Sequence, residues 1–125
     1  PEFLSKLKQT VTELARVGVQ PVLMTLPPID GARYLDYICR GGLSRDSIMR
    51  WLGDVGCIYR YQELYSDTVA SFAMREGLPL IDVRRRFLPQ RDLSELISAD
   101  GIHLTMPGYR QLFDTLAQWV VPQLA

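Results

Sequence analysis

The sequence predicts a single α/β domain, a parallel sheet with helices on both of its faces. Two short, almost unbroken apolar runs, at positions 21–26 and 79–83, have the length and composition of strands that are buried on both sides. Segments in which apolar residues recur every three or four positions alternate with these runs, and that spacing is typical of amphipathic helices. At 125 residues, the chain is long enough for one such domain.

The first helix and the first strand occupy the start of the chain. Leu4, Leu7, Val11 and Leu14 lie on one stripe of a helix, and polar residues fill the positions between them. The strand predicted at 21–26 follows, and two consecutive prolines end it.

The segment 29–53 predicts a long loop excursion, because it combines glycines with tyrosines and several charges. Within it, the residues from Ser44 to Leu52 have the pattern of a short helix. Excursions of this length border functional sites more often than they fill cores.

The second half of the chain repeats the order of helix and strand. A stripe that includes Tyr61, Tyr65 and Val69 predicts a helix that stops at Gly77, before the second strand. The two strands and this helix form a βαβ unit, which belongs to a parallel sheet. A last amphipathic helix closes the chain. Positions 84–99 are polar, and they include an arginine cluster that we interpret as a solvated face: Arg84, Arg85, Arg86 and Arg91.

The predicted sheet is incomplete. Two strands with three or four amphipathic helices do not cover both faces of a stable parallel sheet, which usually has more strands. We therefore expect the rest of the fold to come from elsewhere. It is either an N-terminal half that precedes this chain, or a second copy that forms a homodimer through the exposed sheet edge.

Composition argues against several functions. Fourteen basic residues balance fourteen acidic ones, so no net field favours nucleic acid or an anionic membrane. No apolar run approaches the roughly 20 residues of a membrane span, and the first three residues do not resemble a secretory signal. Cys39 and Cys57 are too few and too far apart for a metal cluster or a disulfide framework. Two free thiols fit a reducing compartment such as the cytoplasm.

The residues with the clearest chemistry are Asp100 and His103. His103 is the only histidine, and an imidazole gives and takes protons near neutral pH. The aspartate three residues earlier is able to accept a hydrogen bond from Nδ1 and to leave Nε2 free as a base. Ser98 is expected to steady this loop. Two other interpretations stay open. In one, His103 is a structural loop residue that caps Asp100 or the last helix. In the other, Asp82, Asp100 and His103 form a weak metal site.

Three blocks of sequence occur in a characteristic order. The first strand ends in Pro-Pro, the second lies in Gly-Leu-Pro-Leu-Ile-Asp-Val, and Asp-Gly-Ile-His-Leu is followed by Pro-Gly-Tyr. Outside about 29–56, this order resembles the C-terminal half of the SGNH, or GDSL-type, hydrolases. The resemblance implies a flavodoxin-like three-layer sandwich, an esterase or acylhydrolase activity, no metal or organic cofactor, and catalytic roles for His103 and Asp100.

The chain departs from that family in the blocks that it lacks. The family places its nucleophilic serine in a Gly-Asp-Ser block near the N-terminus, and it completes the oxyanion hole with a glycine and an asparagine. Here Gly53-Asp54 is followed by Val55, and the sequence contains no asparagine. The resemblance therefore implies the C-terminal part of a serine hydrolase, which is inactive without the preceding part.

The implied reaction is the hydrolysis of a small ester through an acyl-serine intermediate. His103 takes the serine proton, returns it to the leaving alcohol and then activates water, while Asp100 stabilises the imidazolium. Two other functions stay open. One is a non-catalytic α/β module that binds a partner at the carboxyl ends of the strands, or that pairs its exposed sheet edge with a second copy. The other is a metal-dependent phosphoesterase.

Overall fold

The fold is α/β and mostly helical, and its described part contains one two-stranded parallel sheet. The computed structural model describes residues 2–125. Strand β1 (Leu23–Met24) pairs with strand β2 (Leu80–Ile81) in the register that places Leu23 opposite Leu80. The parallel pairing confirms the predicted direction of the strands, but each strand is much shorter than its apolar run. A run of apolar residues marks burial, whereas a strand also needs a partner along its whole length.

Six helices occur in the described part of the chain. In chain order they are α1 (Glu2–Arg16), α2 (Gly31–Arg40), α3 (Arg45–Leu52), α4 (Gly56–Glu76), α5 (Arg84–Phe87) and α6 (Met106–Gln123). Helices α1, α4 and α6 lie where the apolar stripes predict them. Among these helices, none is both long enough and apolar enough to cross a membrane.

The segment 29–53 differs most from the prediction. Helices α2 and α3 occupy most of it, whereas the sequence predicted a long loop with one short helix. Each helix begins at a side-chain cap: Asp30 accepts a hydrogen bond from Arg33 N at 3.1 Å, and Ser44 accepts one from Ser47 N at 3.2 Å. The glycines that suggested a loop stand at the helix ends, where they do not interrupt helical hydrogen bonding.

The main hydrophobic cluster joins the second strand to the last helix. Its buried members are Ile81, Val83, Phe87 and Leu104. Side chains that pack against them are Met24, Leu93, Leu96, Leu112, Leu116 and Trp119. Since Leu104 belongs to this cluster, the residues just before it are held at a defined position relative to β2.

The outer edge of β1 carries no strand in residues 2–125. Leu23 N donates to Pro79 O at 2.9 Å and Thr25 N, directly after β1, donates to Ile81 O at 3.1 Å, so the backbone of Leu23 and Thr25 faces β2. The residues between them face the opposite edge, and the described sheet has only the two strands. An open edge of this kind is a template for pairing with another strand.

Candidate functional site

A tight turn from Ser98 to His103 forms the candidate site. Gly101 N donates to Ser98 O at 3.0 Å, and Ser98 N donates to His103 O at 2.8 Å. Gly101 has a φ of +80°, in the left-handed region that favours glycine. A Cβ at this position would lie 2.4 Å from Asp30 O and 2.4 Å from Tyr34 N, both in the backbone at the start of α2. The turn therefore needs glycine for its own backbone and for the close approach of α2.

Asp100 and His103 face each other across this turn. Asp100 Oδ2 lies 2.5 Å from His103 Nδ1, a short hydrogen-bond distance. Because the partner is a carboxylate, the proton between them belongs on Nδ1, and Nε2 of the neutral ring is left as an acceptor. The histidine side chain is 67% exposed and the aspartate side chain 19%. The ring is therefore accessible, while the group that orients it is shielded.

The second carboxylate oxygen of Asp100 accepts hydrogen bonds from three groups of the turn. Oδ1 accepts hydrogen bonds from Ser98 Oγ at 2.7 Å, from Ile102 N at 3.0 Å and from His103 N at 3.0 Å. The Ser98 hydroxyl, followed by the His103 ring and the two backbone N–H groups, holds the pKa of Asp100 far below its usual value. Asp100 is consequently ionised at neutral pH. The predicted role of Ser98 in steadying the loop matches this geometry.

The turn lies beside the segment that leaves β1. Asp30 N donates to Gly101 O at 2.8 Å, and Asp30 follows the carboxyl end of β1 by six positions. In open α/β sheets, ligands bind outside the carboxyl ends of the strands. The turn that carries Asp100 and His103 therefore lies beside the segment that follows the carboxyl end of β1.

Asp82 does not join this pair. Its Oδ1 accepts hydrogen bonds from Thr25 Oγ1 at 3.0 Å and from Arg85 N at 3.3 Å, so it ties the end of β1 to the start of α5. No group of three or more metal-ligating side chains occurs within residues 2–125. The weak metal site of Asp82, Asp100 and His103 is therefore not assembled in this part of the chain.

The arginine cluster was only partly a solvated face. Arg84 is 7% exposed, and its Nη1 donates to Leu26 O at 3.2 Å and to Gln62 Oε1 at 2.6 Å. Its guanidinium also lies 5.1 Å from the centre of the Tyr59 ring. Gln62 in turn donates to Pro27 O at 2.6 Å. Arg84 thus anchors the segment that follows β1. The sequence signal for its burial was its position directly after the second apolar run.

A second arginine was missed by sequence reasoning. Arg33, in the first turn of α2, donates through Nη1 to Ile97 O at 2.6 Å and to Ser94 O at 3.0 Å. These acceptors lie more than sixty positions away along the chain. No pattern in the sequence signals a contact of that separation.

Among residues 2–125, no nucleophilic side chain hydrogen-bonds to the free ring nitrogen of His103. Within the described residues, neither a serine nor any other group hydrogen-bonds to His103 Nε2, whereas Nδ1 is bound to Asp100. The arrangement is able to accept a proton at Nε2 and to stabilise the resulting imidazolium through Asp100. It does not by itself contain the group that would lose that proton.

No protein-family model matches the chain, and no curated protein matches it in sequence. An α/β fold hosts many unrelated functions, so the fold class does not choose among them. The function is therefore argued from the site.

Proposed function

We propose that the chain is the C-terminal part of a serine esterase or acylhydrolase of the SGNH, or GDSL-type, superfamily. The observation that carries the proposal is the 2.5 Å contact between Asp100 Oδ2 and His103 Nδ1, in a turn that lies beside the segment following β1. The complete domain is then a flavodoxin-like three-layer sandwich, of which β1 and β2 are two strands.

The electrostatics of the pair favour a general base. Four hydrogen-bond donors keep Asp100 ionised, so a negative charge faces Nδ1 throughout the neutral pH range. That charge selects the tautomer in which Nε2 accepts a proton, and it stabilises the imidazolium that forms afterwards.

In the proposed reaction, a serine outside this chain attacks the carbonyl carbon of an ester. The serine proton moves to Nε2 of His103, and the imidazolium then gives it to the alcohol as the ester bond breaks. A water molecule next transfers a proton to Nε2 and attacks the acyl-serine. His103 returns that proton to the serine oxygen as the carboxylic acid leaves, which restores both groups.

The open edge of β1 is consistent with a larger sheet. The edge faces away from β2, and the pair of short strands on its own is smaller than a stable parallel sheet. Strands that carry the nucleophile would extend the sheet from β1, which places their carboxyl ends on the same side as His103. The proposal therefore expects a Gly-Asp-Ser block directly after a strand, encoded upstream of this chain.

The test is ester hydrolysis by the protein that includes the upstream part. With a short-chain nitrophenyl ester as substrate, His103→Ala should lower kcat/KM at least about a hundredfold, the contribution of a general base. Met106→Ala is the matched control, because Met106 is exposed, lies close to His103 in the chain and makes no side-chain hydrogen bond. Equal turnover by wild type and His103→Ala would remove His103 from the mechanism.

A second candidate is a non-catalytic module that pairs with a second copy. The open edge of β1 is the observation in its favour, because an unpaired strand readily binds another one. The two candidates differ in what covers that edge: strands of the same protein in the hydrolase, and a second copy in the module.

A further inference from the structure

Arg33 lies where it contacts the segment that leads into the His103 turn. It belongs to the first turn of α2, and its Nε is 3.5 Å from Oδ2 of the capping residue Asp30. About a third of each of these two side chains is exposed. The ion pair directs the guanidinium along the surface toward residues 94–98 rather than into solvent.

The guanidinium then holds a run of backbone carbonyls. Nη1 donates to Ile97 O at 2.6 Å and to Ser94 O at 3.0 Å, and Ser98 O lies 3.5 Å away. Bonds from a charged donor are stronger than those between neutral groups, and the contact to Ile97 O is the shortest of the three. The peptide between Ile97 and Ser98 is therefore the one that Arg33 holds most tightly.

That same peptide is hydrogen-bonded to the backbone of His103. Its carbonyl accepts from Arg33, and its N–H, which belongs to Ser98, donates to His103 O at 2.8 Å. The Ser98 side chain continues the connection, since its hydroxyl donates to Asp100 Oδ1 at 2.7 Å. A donor bound to the carbonyl of a peptide polarises its N–H, so the two hydrogen bonds strengthen each other.

We propose that Arg33 is a positioning residue for His103, acting through the peptide between Ile97 and Ser98. This inference rests on the proposed function, in which His103 is the base. Arg33 touches neither the imidazole nor the Asp100 carboxylate. Its effect is to place Ser98, which sets the backbone of His103 with its N–H and the carboxylate of Asp100 with its hydroxyl.

The experiment reads the ring directly by nitrogen NMR of the chain. His103 is the only histidine, so its imidazole signals need no assignment by mutation. At alkaline pH, wild type should show the proton on Nδ1. In Arg33→Ala, we expect both tautomers, with exchange of the Nδ1 proton with water accelerated about tenfold, which equals about 1.4 kcal/mol.

Arg40→Ala is the matched control, because Arg40 lies in the same helix, carries the same charge and makes no hydrogen bond to residues 94–98. Its imidazole signals should equal those of wild type. Arg33→Lys keeps a charged donor but loses the Nε contact that ties the side chain to Asp30. Its ammonium is therefore held less firmly against the carbonyls of residues 94–98, and the exchange rate should be intermediate.

A role confined to stability would leave the ring unchanged in the molecules that are folded. Wild-type tautomer and exchange rate in folded Arg33→Ala would therefore overturn the inference. If Arg33→Ala does not fold, Arg33→Lys decides, and a wild-type exchange rate in that variant is equally contrary. Neither result depends on turnover, so a failure of the esterase assay is distinguishable from a failure of this proposal.

Discussion

Asp100 uses its two oxygens for different purposes. Oδ1 accepts the hydrogen bonds that close the turn, and Oδ2 contacts the imidazole of His103. The spacing of three residues makes both possible, because a short turn returns the chain to the aspartate side chain. The acid that orients the ring is thus also the residue that shapes the backbone beneath it.

This dual role predicts how stability depends on pH. The pKa of Asp100 is lowered in the folded protein, chiefly by the Ser98 hydroxyl and the His103 ring, so its ionised form favours folding. That contribution is complete above the unfolded pKa of about 3.9, and it is lost as the pH falls below that value. We expect the stability difference between wild type and Asp100→Asn to be largest near pH 5 to 6 and to shrink below about pH 4.

Urea unfolding between pH 2.5 and pH 6 measures this difference. Asp54→Asn is a useful control, because the pKa of Asp54 is also lowered, by the Arg60 side chain and the Gly56 N–H, but Asp54 lies outside the turn and the segment that Arg33 contacts. Its contribution should have the same sign and leave the signals of His103 unchanged. A gap between wild type and Asp100→Asn that does not vary with pH would contradict the assigned role of the carboxylate.

At the scale of elements, helix α2 is what holds the turn from Ser98 to His103 in place. Its first turn contacts Gly101 through the backbone of Asp30 and Tyr34, and its Arg33 side chain holds the segment that precedes the turn. A loop in the same place would make such contacts only at the cost of ordering its backbone. The capped helix is already ordered, and so it offers a rigid surface for the turn.

The close approach of α2 predicts a large effect of one methyl group. Gly101→Ala should destabilise the protein by about 1–2 kcal/mol for its left-handed backbone, and by roughly 1–3 kcal/mol more for the clash with α2. Gly18→Ala is the matched control, since Gly18 has a φ of +78° but nothing lies within 4 Å of an added Cβ. Denaturant unfolding gives both values, and equal losses would exclude tight contact between α2 and the turn.

At the scale of the whole molecule, the open edge of β1 distinguishes the two candidate functions. Leu23 and Thr25 make the bonds to Pro79 and Ile81, so a proline at the neighbouring position 22 removes only an N–H that is not used in that pairing. The edge can therefore be blocked without loss of the sheet itself.

If a second copy pairs at this edge, the chain should elute as a dimer in size-exclusion chromatography with light scattering. Val22→Pro should then elute as a monomer. A wild-type monomer at high protein concentration would contradict the dimeric module. It would favour the candidate in which strands of the same protein cover the edge of β1.

Local features of this protein were predictable, and distant contacts were not. The helix stripes of α1, α4 and α6 repeat every three or four residues, and Asp100 and His103 are three positions apart, so each pattern is complete within a short window. Helix α2 was missed because its glycines resemble those of a loop when the capping by Asp30 is not recognised. The burial of Arg84 was missed because neighbouring arginines in sequence usually share a solvated face.

The sequence by itself determined the α/β class, the parallel direction of the strands and the candidate pair of Asp100 and His103. Those properties depend on side-chain spacing, which the order of residues contains directly. The tertiary structure decided which residues support the pair, since Arg33 and Ile97 meet across 64 positions and Asp30 meets Gly101 through backbone atoms alone. Backbone atoms are the same in every residue, so the sequence does not show which of them will be in contact. Only the folded structure shows these contacts.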